Sequence, residues 1–352
     1  MSDKQTIKHR GAKGEFHFAY DDLHQPADDG VDMKIHQELI VFIIWAISFV
    51  ALSVALPNFF TEGNLISLLR SVSVLGILAI GMAIVVIGRG IDLAMVATMA
   101  VSVAGAIVLL QQGYSIPVAL LAGFVFAVLV GTVSGILIAY VEIPALFATL
   151  AMGLFIYGVG RFGFFNQDIV LIPPEGGSLS WLGAGRVFGI PVSILFLLLF
   201  AGLVALFLRY ARIGRFIHAI GDNPSTARIT GLPVRKLYVL SYILSSTIAY
   251  CAGIITATGV GSMNTRIVNS TMLYDVILVV VIGGISLSGG KGGVRNVLVG
   301  TLLIGTLLNA MTIMDIQYTV QNVIKSMILL IAIIVDSLLN PRDEQTAQQG
   351  DI

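Results

Sequence analysis

The sequence predicts an all-α fold, a polytopic transmembrane helix bundle of about ten spans with both termini in the cytoplasm. Three observations predict it. From Leu39 to Leu339, long apolar runs follow one another with only brief polar breaks. Of the 352 residues, 57% are hydrophobic and 11% charged, and the mean hydropathy is +0.94, so too little polar sequence is left to clothe a water-soluble domain. Lys and Arg are divided unequally between alternate breaks. A bilayer forces such a chain into helices of roughly 20 apolar residues, because no water is there to satisfy free backbone groups.

Residues 1–38 form a polar cytoplasmic tail, expected to be disordered and lacking a cleavable secretory signal. The tail holds His9, His17, His24 and His36. A metal site is the rival reading of these histidines, but their spacing is wide and no regular framework surrounds them. A membrane domain occupies 39–340, and 341–352 form a second cytoplasmic tail. Apolar runs mark spans at 39–56, 71–88, 94–111, 117–139, 144–160, 190–208, 237–258, 272–288, 296–313 and 319–339. Several are short for a perpendicular span, so broken or re-entrant segments are expected. The 38 glycines favour closely approaching helices in a compact bundle. Cys251 is alone, so no intrachain disulfide forms, and the thiol reads as a small apolar packer.

Charge sets the orientation. With the amino terminus inside, Arg70, Arg161, Arg186 and Arg266 lie in outer breaks and Lys325 in the last span. The other 15 of the 20 Lys and Arg lie inside, a strong positive-inside bias. The longest outer break, 161–189, is rich in turns, with Pro173-Pro174 and Gly176-Gly177.

The longest inner break, 209–236, is strongly basic. Basicity alone makes it a membrane anchor, but its internal order says more. Gly214-Arg215 precedes a helical stretch from Phe216 to Ile220. Gly221-Asp222-Asn223-Pro224 then turns the chain, with Asp222 or Asn223 able to cap and Pro224 suited to the first helical position. Ser225 to Ile229 makes about a turn and a half, Gly231 stops it and Pro233 follows. The predicted product is a rigid short helix across the cytoplasmic face, which a separate soluble motor can push.

Four segments in the same order carry a resemblance to a family. Gly214-Arg215, the Ala219-Ile220-Gly221-Asp222-Asn223 run, Ala227-Arg228 and Gly231 resemble the cytoplasmic loop of bacterial ABC-importer permeases of the ribose and monosaccharide type. Val86 to Leu93, Ile143-Pro144 with Phe147 to Leu150, and Val281 to Gly292 resemble three further motifs of those proteins, and Asp336 matches an acid in their last span. The resemblance covers about 39–340. It implies a permease subunit of the bacterial inner membrane that translocates a monosaccharide or related polyhydroxylated solute. It implies as partners a second permease copy, identical or not, a cytoplasmic ABC ATPase and a periplasmic sugar-binding protein. It implies no cofactor on this chain, ATP and magnesium being bound by the ATPase. Its coupling residues would be Gly214, Arg215, Ala219, Gly221, Asp222, Asn223, Ala227, Arg228 and Gly231. Two departures stand out. The family's Ser-Val-Gly after Ile91-Asp92-Leu93 is replaced by Ala94-Met95-Val96, and a frequent Glu is replaced near Leu273, while Asp275 keeps the later acid.

Polar groups within the membrane part are the candidates for a pathway or gate: Arg89, Asp92, Thr149 and Asp275, with Gly283 and Gly284 as flexible points. Arg89 and Asp92 read either as a structural ion pair or helix-end anchor, or as a gate. Asp275 and Lys325, near the outer ends of their spans, read as interface residues or pathway groups, since burying a charge at the centre costs at least ~2.5–3.5 kcal/mol. Thr149, Asn166, Asn264 and Asn309 read as ties between helices or as sugar ligands. Val85-Val86-Ile87-Gly88 and Val280-Val281-Ile282-Gly283 read alike, as the trace of an internal repeat or as a chance of composition.

Other chemistries are excluded. Gly284 to Lys291 lacks the spacing and the final Ser or Thr of a phosphate loop. No HExxH, CxxC pair or GxSxG elbow is present, and the basic residues are spread along membrane borders, so neither an enzyme nor a nucleic-acid binder is indicated. An ion-driven secondary transporter is the first rival, but no span contains a histidine and the acids cluster toward span ends. A scaffold without transport is the second, and it leaves the basic loop unexplained.

Overall fold

A computed structural model describes residues 37–339. The histidine-bearing part of the polar tail and the segment from 340 on lie outside those residues. In chain order the helices are α1 (Gln37–Ala55), α2 (Glu62–Ile87), α3 (Met95–Gln111), α4 (Ile116–Ala139), α5 (Ala145–Val159), α6 (Ser180–Ala184), α7 (Val192–Tyr210), α8 (Arg212–Asp222), α9 (Pro224–Ile229), α10 (Val234–Val260), α11 (Met272–Ile282), α12 (Val294–Ile313) and α13 (Tyr318–Leu339). Eight are long and apolar enough to cross a membrane, and α3 and α11 are shorter apolar helices. Each of the ten expected spans coincides with one of these ten helices.

Two spans differ from expectation. The second begins at Glu62, not at 71, so Arg70 lies inside α2 and not in an outer break. Asn64, Ser67, Arg70 and Ser71 make one side of these first turns polar, which lowers hydropathy without breaking the helix. The eighth span is helical only to Ile282, not to 288. Its 11 residues rise ~16 Å, about half the hydrocarbon thickness. The Gly283–Gly293 segment that follows is irregular, and such backbone survives at membrane depth only when buried in protein. Ile285 and Ser286 are indeed buried.

Helix α2 runs through the middle of the bundle. From Leu75 to Ile87 its residues are apolar or glycine on every side, and nearly all are buried against α7, α10, α11 and α12. The closest pair is α4 with α10. Gly123, Ala127, Gly131 and Gly135 recur every fourth residue and make a flat ridge on α4. A Cβ on Gly135 would meet Val239 Cα at 2.6 Å, and one on Gly131 would meet Ile243 Cα at 2.7 Å. Small residues at such spacing let the backbones touch, which is how membrane helices associate without a hydrophobic driving force.

The repeated Val-Val-Ile-Gly strings end α2 and α11 by one closure. Gly90 N–H donates to Val85 O at 2.9 Å and Arg89 N–H to Val86 O at 2.9 Å; Ile285 N–H donates to Val280 O at 3.1 Å and Gly284 N–H to Val281 O at 3.0 Å. Both are Schellman caps with a left-handed residue at the same place, Arg89 (φ 69°) and Gly284 (φ 96°). The likeness of the strings is therefore structural as well as compositional. Each cap leads into an irregular segment and then into another helix, α3 or α12.

The face bearing α8 and α9 also carries Arg209, Arg212, Arg215, Arg228, Arg235, Lys236, Lys291 and Arg295, the concentration of positive charge that the positive-inside rule expects of a cytoplasmic face. On the opposite face, β1 (Ile169–Leu171) pairs antiparallel with β4 (Ser262–Asn264), Val170 opposite Met263. Two arginines, Arg161 and Arg266, hold Asp168 beside this ribbon at 2.8 and 2.6 Å. A small hairpin joins β2 (Arg186–Val187) to β3 (Ile190–Pro191).

Candidate functional site at the cytoplasmic face

On α8 the buried residues are Gly214, Ile217, Ile220 and Gly221, the spacing of one helical face. The helix is 11 residues long, more than the expected Phe216–Ile220 stretch. Asn223 then caps α9: its side-chain oxygen accepts from Thr226 N–H at 2.9 Å, and Pro224 takes the first helical position, as the sequence predicts. Gly231 closes α9 with φ 83°, its N–H donating to Arg228 O at 3.0 Å while Leu232 N–H donates to Ala227 O at 3.0 Å. Ala227 is buried among Ala139, Ile220, Val234, Leu237 and Tyr238. The short side chain thus lets α9 dock on α4 and α10.

The centre of the site is Gly221. A Cβ there would overlap the Ile87 carbonyl oxygen at the end of α2 and the Gly290 amide nitrogen in the segment after α11. These two atoms are themselves bonded, Gly290 N–H donating to Ile87 O at 2.9 Å. Arg89 adds a second tie, its Nε donating to Ser288 O at 2.6 Å. His218 adds a third, one ring nitrogen 3.0 Å from Gly214 O and the other 3.3 Å from Gly292 O. Three segments distant in sequence therefore meet with backbone against backbone. Such contacts transmit displacement, because no side chain lies between them to rotate away.

The predicted coupling residues divide by burial. Gly214, Gly221 and Ala227 face the bundle, whereas Arg215, Ala219, Asp222, Asn223, Arg228 and Gly231 are exposed. Sequence reasoning missed Ile229, which is 87% exposed at the end of α9. Ile229 sits among the polar residues Ser225, Thr226, Arg228 and Thr230, which was the available signal. It missed Ile87 and Gly290 too, whose role depends on tertiary placement.

Of the predicted pathway groups, Arg89 lies at this junction and Asp92, Thr149 and Asp275 lie elsewhere. Arg89 and Asp92 do not form the ion pair that was one reading of them. Asp92 is buried, and its carboxylate accepts from Ser245 Oγ at 2.7 Å and from Ala94 N–H at 3.1 Å. Thr149 is a tie: its hydroxyl lies 2.8 Å from Ala145 O and 3.3 Å from Ile91 O and accepts from Leu93 N–H at 3.1 Å. Gly283 and Gly284 shape the end of α11, where Cβ atoms on Gly283 and Gly300 would overlap the facing backbone of α12 and α11. Asp275 and Lys325 are brought together, Nζ lying 2.9 and 3.1 Å from the two carboxylate oxygens, with Thr271 Oγ1 at 2.7 Å. Asn309 pairs with Asn64, and Asn264 accepts from Arg266 N–H.

Known proteins resemble this chain in sequence over most of its length. A family model described as "Branched-chain amino acid transport system / permease component" matches residues 64–335. The chain is 32% identical to the ribose import permease protein RbsC of Escherichia coli K12 over 286 residues, covering 80% of this chain and 88% of that one. It is 32% identical to the RbsC protein of Haemophilus influenzae Rd over 311 residues (86% and 95%), and to the galactofuranose transporter permease protein YtfT of E. coli K12 over 275 residues (78% and 80%). No solved structure matches it. With eight helices long and apolar enough to cross a membrane among its described residues and most of its length matched, the chain is a multi-pass membrane protein and belongs to the family of transport-system permease components.

Proposed function

We propose that this chain is the translocating subunit of an ATP-binding-cassette importer of the bacterial inner membrane, carrying a monosaccharide or a similar polyhydroxylated solute. The family description names amino acids, but three relatives that cover most of the chain are named for ribose or galactofuranose, and these favour a sugar. In this reading the solute arrives on a periplasmic binding protein, a second permease copy completes the pathway, and ATP with its magnesium acts on a separate ATPase. This chain makes and breaks no covalent bond.

The observation that carries the reading is the Gly221 junction. The exposed side of α8 and α9 presents Arg215, Ala219, Asp222 and the apolar Ile229 to a soluble partner, while the buried side rests directly on the end of α2 and on the segment joining α11 to α12. A push on the exposed side therefore reaches both.

Replacing Ile229 with Asp tests this without disturbing the bundle, since the side chain touches little of its own chain. The complete transporter is reconstituted in liposomes, and uptake and ATP hydrolysis are followed together. Ile229→Asp is expected to abolish carrier-stimulated hydrolysis and uptake while the permease still inserts. Unchanged stimulation and uptake would remove α9 as the contact, and solute uptake by this chain without any ATPase would remove the importer reading altogether.

A further inference from the structure

At the end of the bundle away from α8 and α9, the helices α2, α7, α10, α11 and α12 diverge around a cavity of about 820 Å³. It lies along Asn64 to Leu75 of α2, roughly 18–35 Å from Ile87 at helical rise. That volume is within the ~300–1,000 Å³ range of small-molecule sites. The wall is unusual for a membrane protein interior. Asn64 and Asn309 form a reciprocal amide pair on it, at 3.0 and 2.8 Å. Thr256 stands opposite on α10, and Asp275 borders it from α11.

Besides Asp275 Oδ1, which lies 2.9 Å from Lys325 Nζ as an ion pair but makes no well-aligned hydrogen bond, two further wall atoms are buried without a hydrogen-bond partner among the described residues, Arg70 Nε and Ser193 Oγ. Ser193 is only 1% exposed. The guanidinium of Arg70 is otherwise held by Ala184 O at 3.0 Å, which leaves Nε as an uncommitted donor. Folded proteins leave few buried polar groups unpaired, and two on the wall of one cavity mark it as a place for a polar occupant.

We propose that this cavity binds a neutral polyhydroxylated solute of monosaccharide size within a single permease chain. Amides and hydroxyls both donate and accept, as sugar hydroxyls do, and an arginine beside them supplies donors to adjacent oxygens. A zwitterionic amino acid fits less well, because its ammonium needs a free carboxylate and Asp275 is already paired with Lys325. The inference deepens the sugar-permease reading and rests on it for the class of solute.

The test places a thiol on the wall. Thr256→Cys is made in a Cys251→Ala chain, expressed with its partner subunits in spheroplasts, and exposed to a membrane-impermeant maleimide. Ser71→Cys, on the α2 wall, is a second reporter should the first fail to fold. D-ribose, L-arabinose, D-xylose, D-galactose and L-leucine are the probes, and uptake of each is measured in parallel. Labelling is expected without a solute, and at about ten times its Kd one of the sugars slows it about tenfold, whereas leucine does not. Arg70→Met then raises the protecting sugar concentration by about tenfold or more. No labelling from outside, no protection by any of the four sugars, or protection by leucine instead overturns the proposal. Sugar uptake without protection removes the cavity site but leaves the permease reading; protection without uptake does the reverse.

Discussion

Alanine at position 221 adds one methyl group at the point where α8, α2 and the segment after α11 meet. That methyl would occupy the space of the Ile87 carbonyl oxygen and the Gly290 amide nitrogen. Both obstacles are backbone, so no rotamer change relieves the overlap and α8 must lift. Overpacking of a close contact costs about 1–3 kcal/mol. The Gly290–Ile87 hydrogen bond, 2.9 Å long, is strained or lost, for about 0.5–1.5 kcal/mol more. The expected loss is therefore about 1.5–4.5 kcal/mol. Gly231→Ala is the control, because open space surrounds Gly231 and only its φ of 83° resists a side chain, at about 1–2 kcal/mol. Thermal unfolding midpoints of the two purified variants give the stability order. Uptake and ATP hydrolysis in the reconstituted transporter give the coupling. Gly221→Ala is expected to melt lower than Gly231→Ala and to hydrolyse more ATP per solute moved, with membrane insertion intact. A Gly221→Ala chain with wild-type melting and a wild-type ratio would refute the clamp.

Three other perturbations follow from single contacts. Lys325→Met leaves Asp275 charged and unpaired in a largely buried place, so its melting midpoint falls by the equivalent of about 3–5 kcal/mol, and Lys325→Met with Asp275→Leu recovers most of that. Ser245→Ala removes the hydroxyl that donates to Asp92 at 2.7 Å, costing about 1.5–3 kcal/mol in the same melt, more than Ser67→Ala on the exposed start of α2. Gly135→Val forces α4 away from Val239, and cysteine pairs across α4 and α10 are expected to crosslink more slowly than in the parent.

The ten apolar helices were legible in the sequence because a bilayer permits so few structures, and hydropathy alone marks where each lies, though not every end. The end of the α8–α9 loop was legible for a different reason: Asn223, Pro224 and Gly231 each satisfy a backbone requirement of a helix end, so local chemistry fixes the geometry. The start of α2 was hidden because Asn64 and Arg70 face a polar cavity, and a polar residue facing a cavity has the same hydropathy as one in a loop. The early end of α11 was hidden because Gly283 and Gly284 follow a continuous apolar run, and the cap that stops the helix depends on a left-handed residue and not on polarity. The pairings Asp92–Ser245 and Asp275–Lys325 span 153 and 50 residues, and no local pattern announces which distant helix supplies a partner.

The proposed coupling surface and the proposed solute cavity are joined by one rigid body. Helix α2 is a continuous 26 residues, about 39 Å long, without proline or a break. Its last carbonyl region receives Gly221, and its first turns form a wall of the cavity. A tilt of about 10° around its midpoint would move the two ends by about 3 Å in opposite directions, which follows from that length alone. The segment touched by Gly221 beyond α11 leads into α12, and the far end of α12 carries Asn309 on the same cavity. Pressure on α8 therefore acts on two helices whose outer ends are held together by the Asn64–Asn309 amide pair. If the two outer ends separate, that pair is the contact that parts, and each of its amides can then bond a sugar hydroxyl. Solute entering between the two amides and displacement of Ile87 by α8 would then favour the same open position of α2, which gives the cavity a physical route to the ATPase face without any change in the helices themselves.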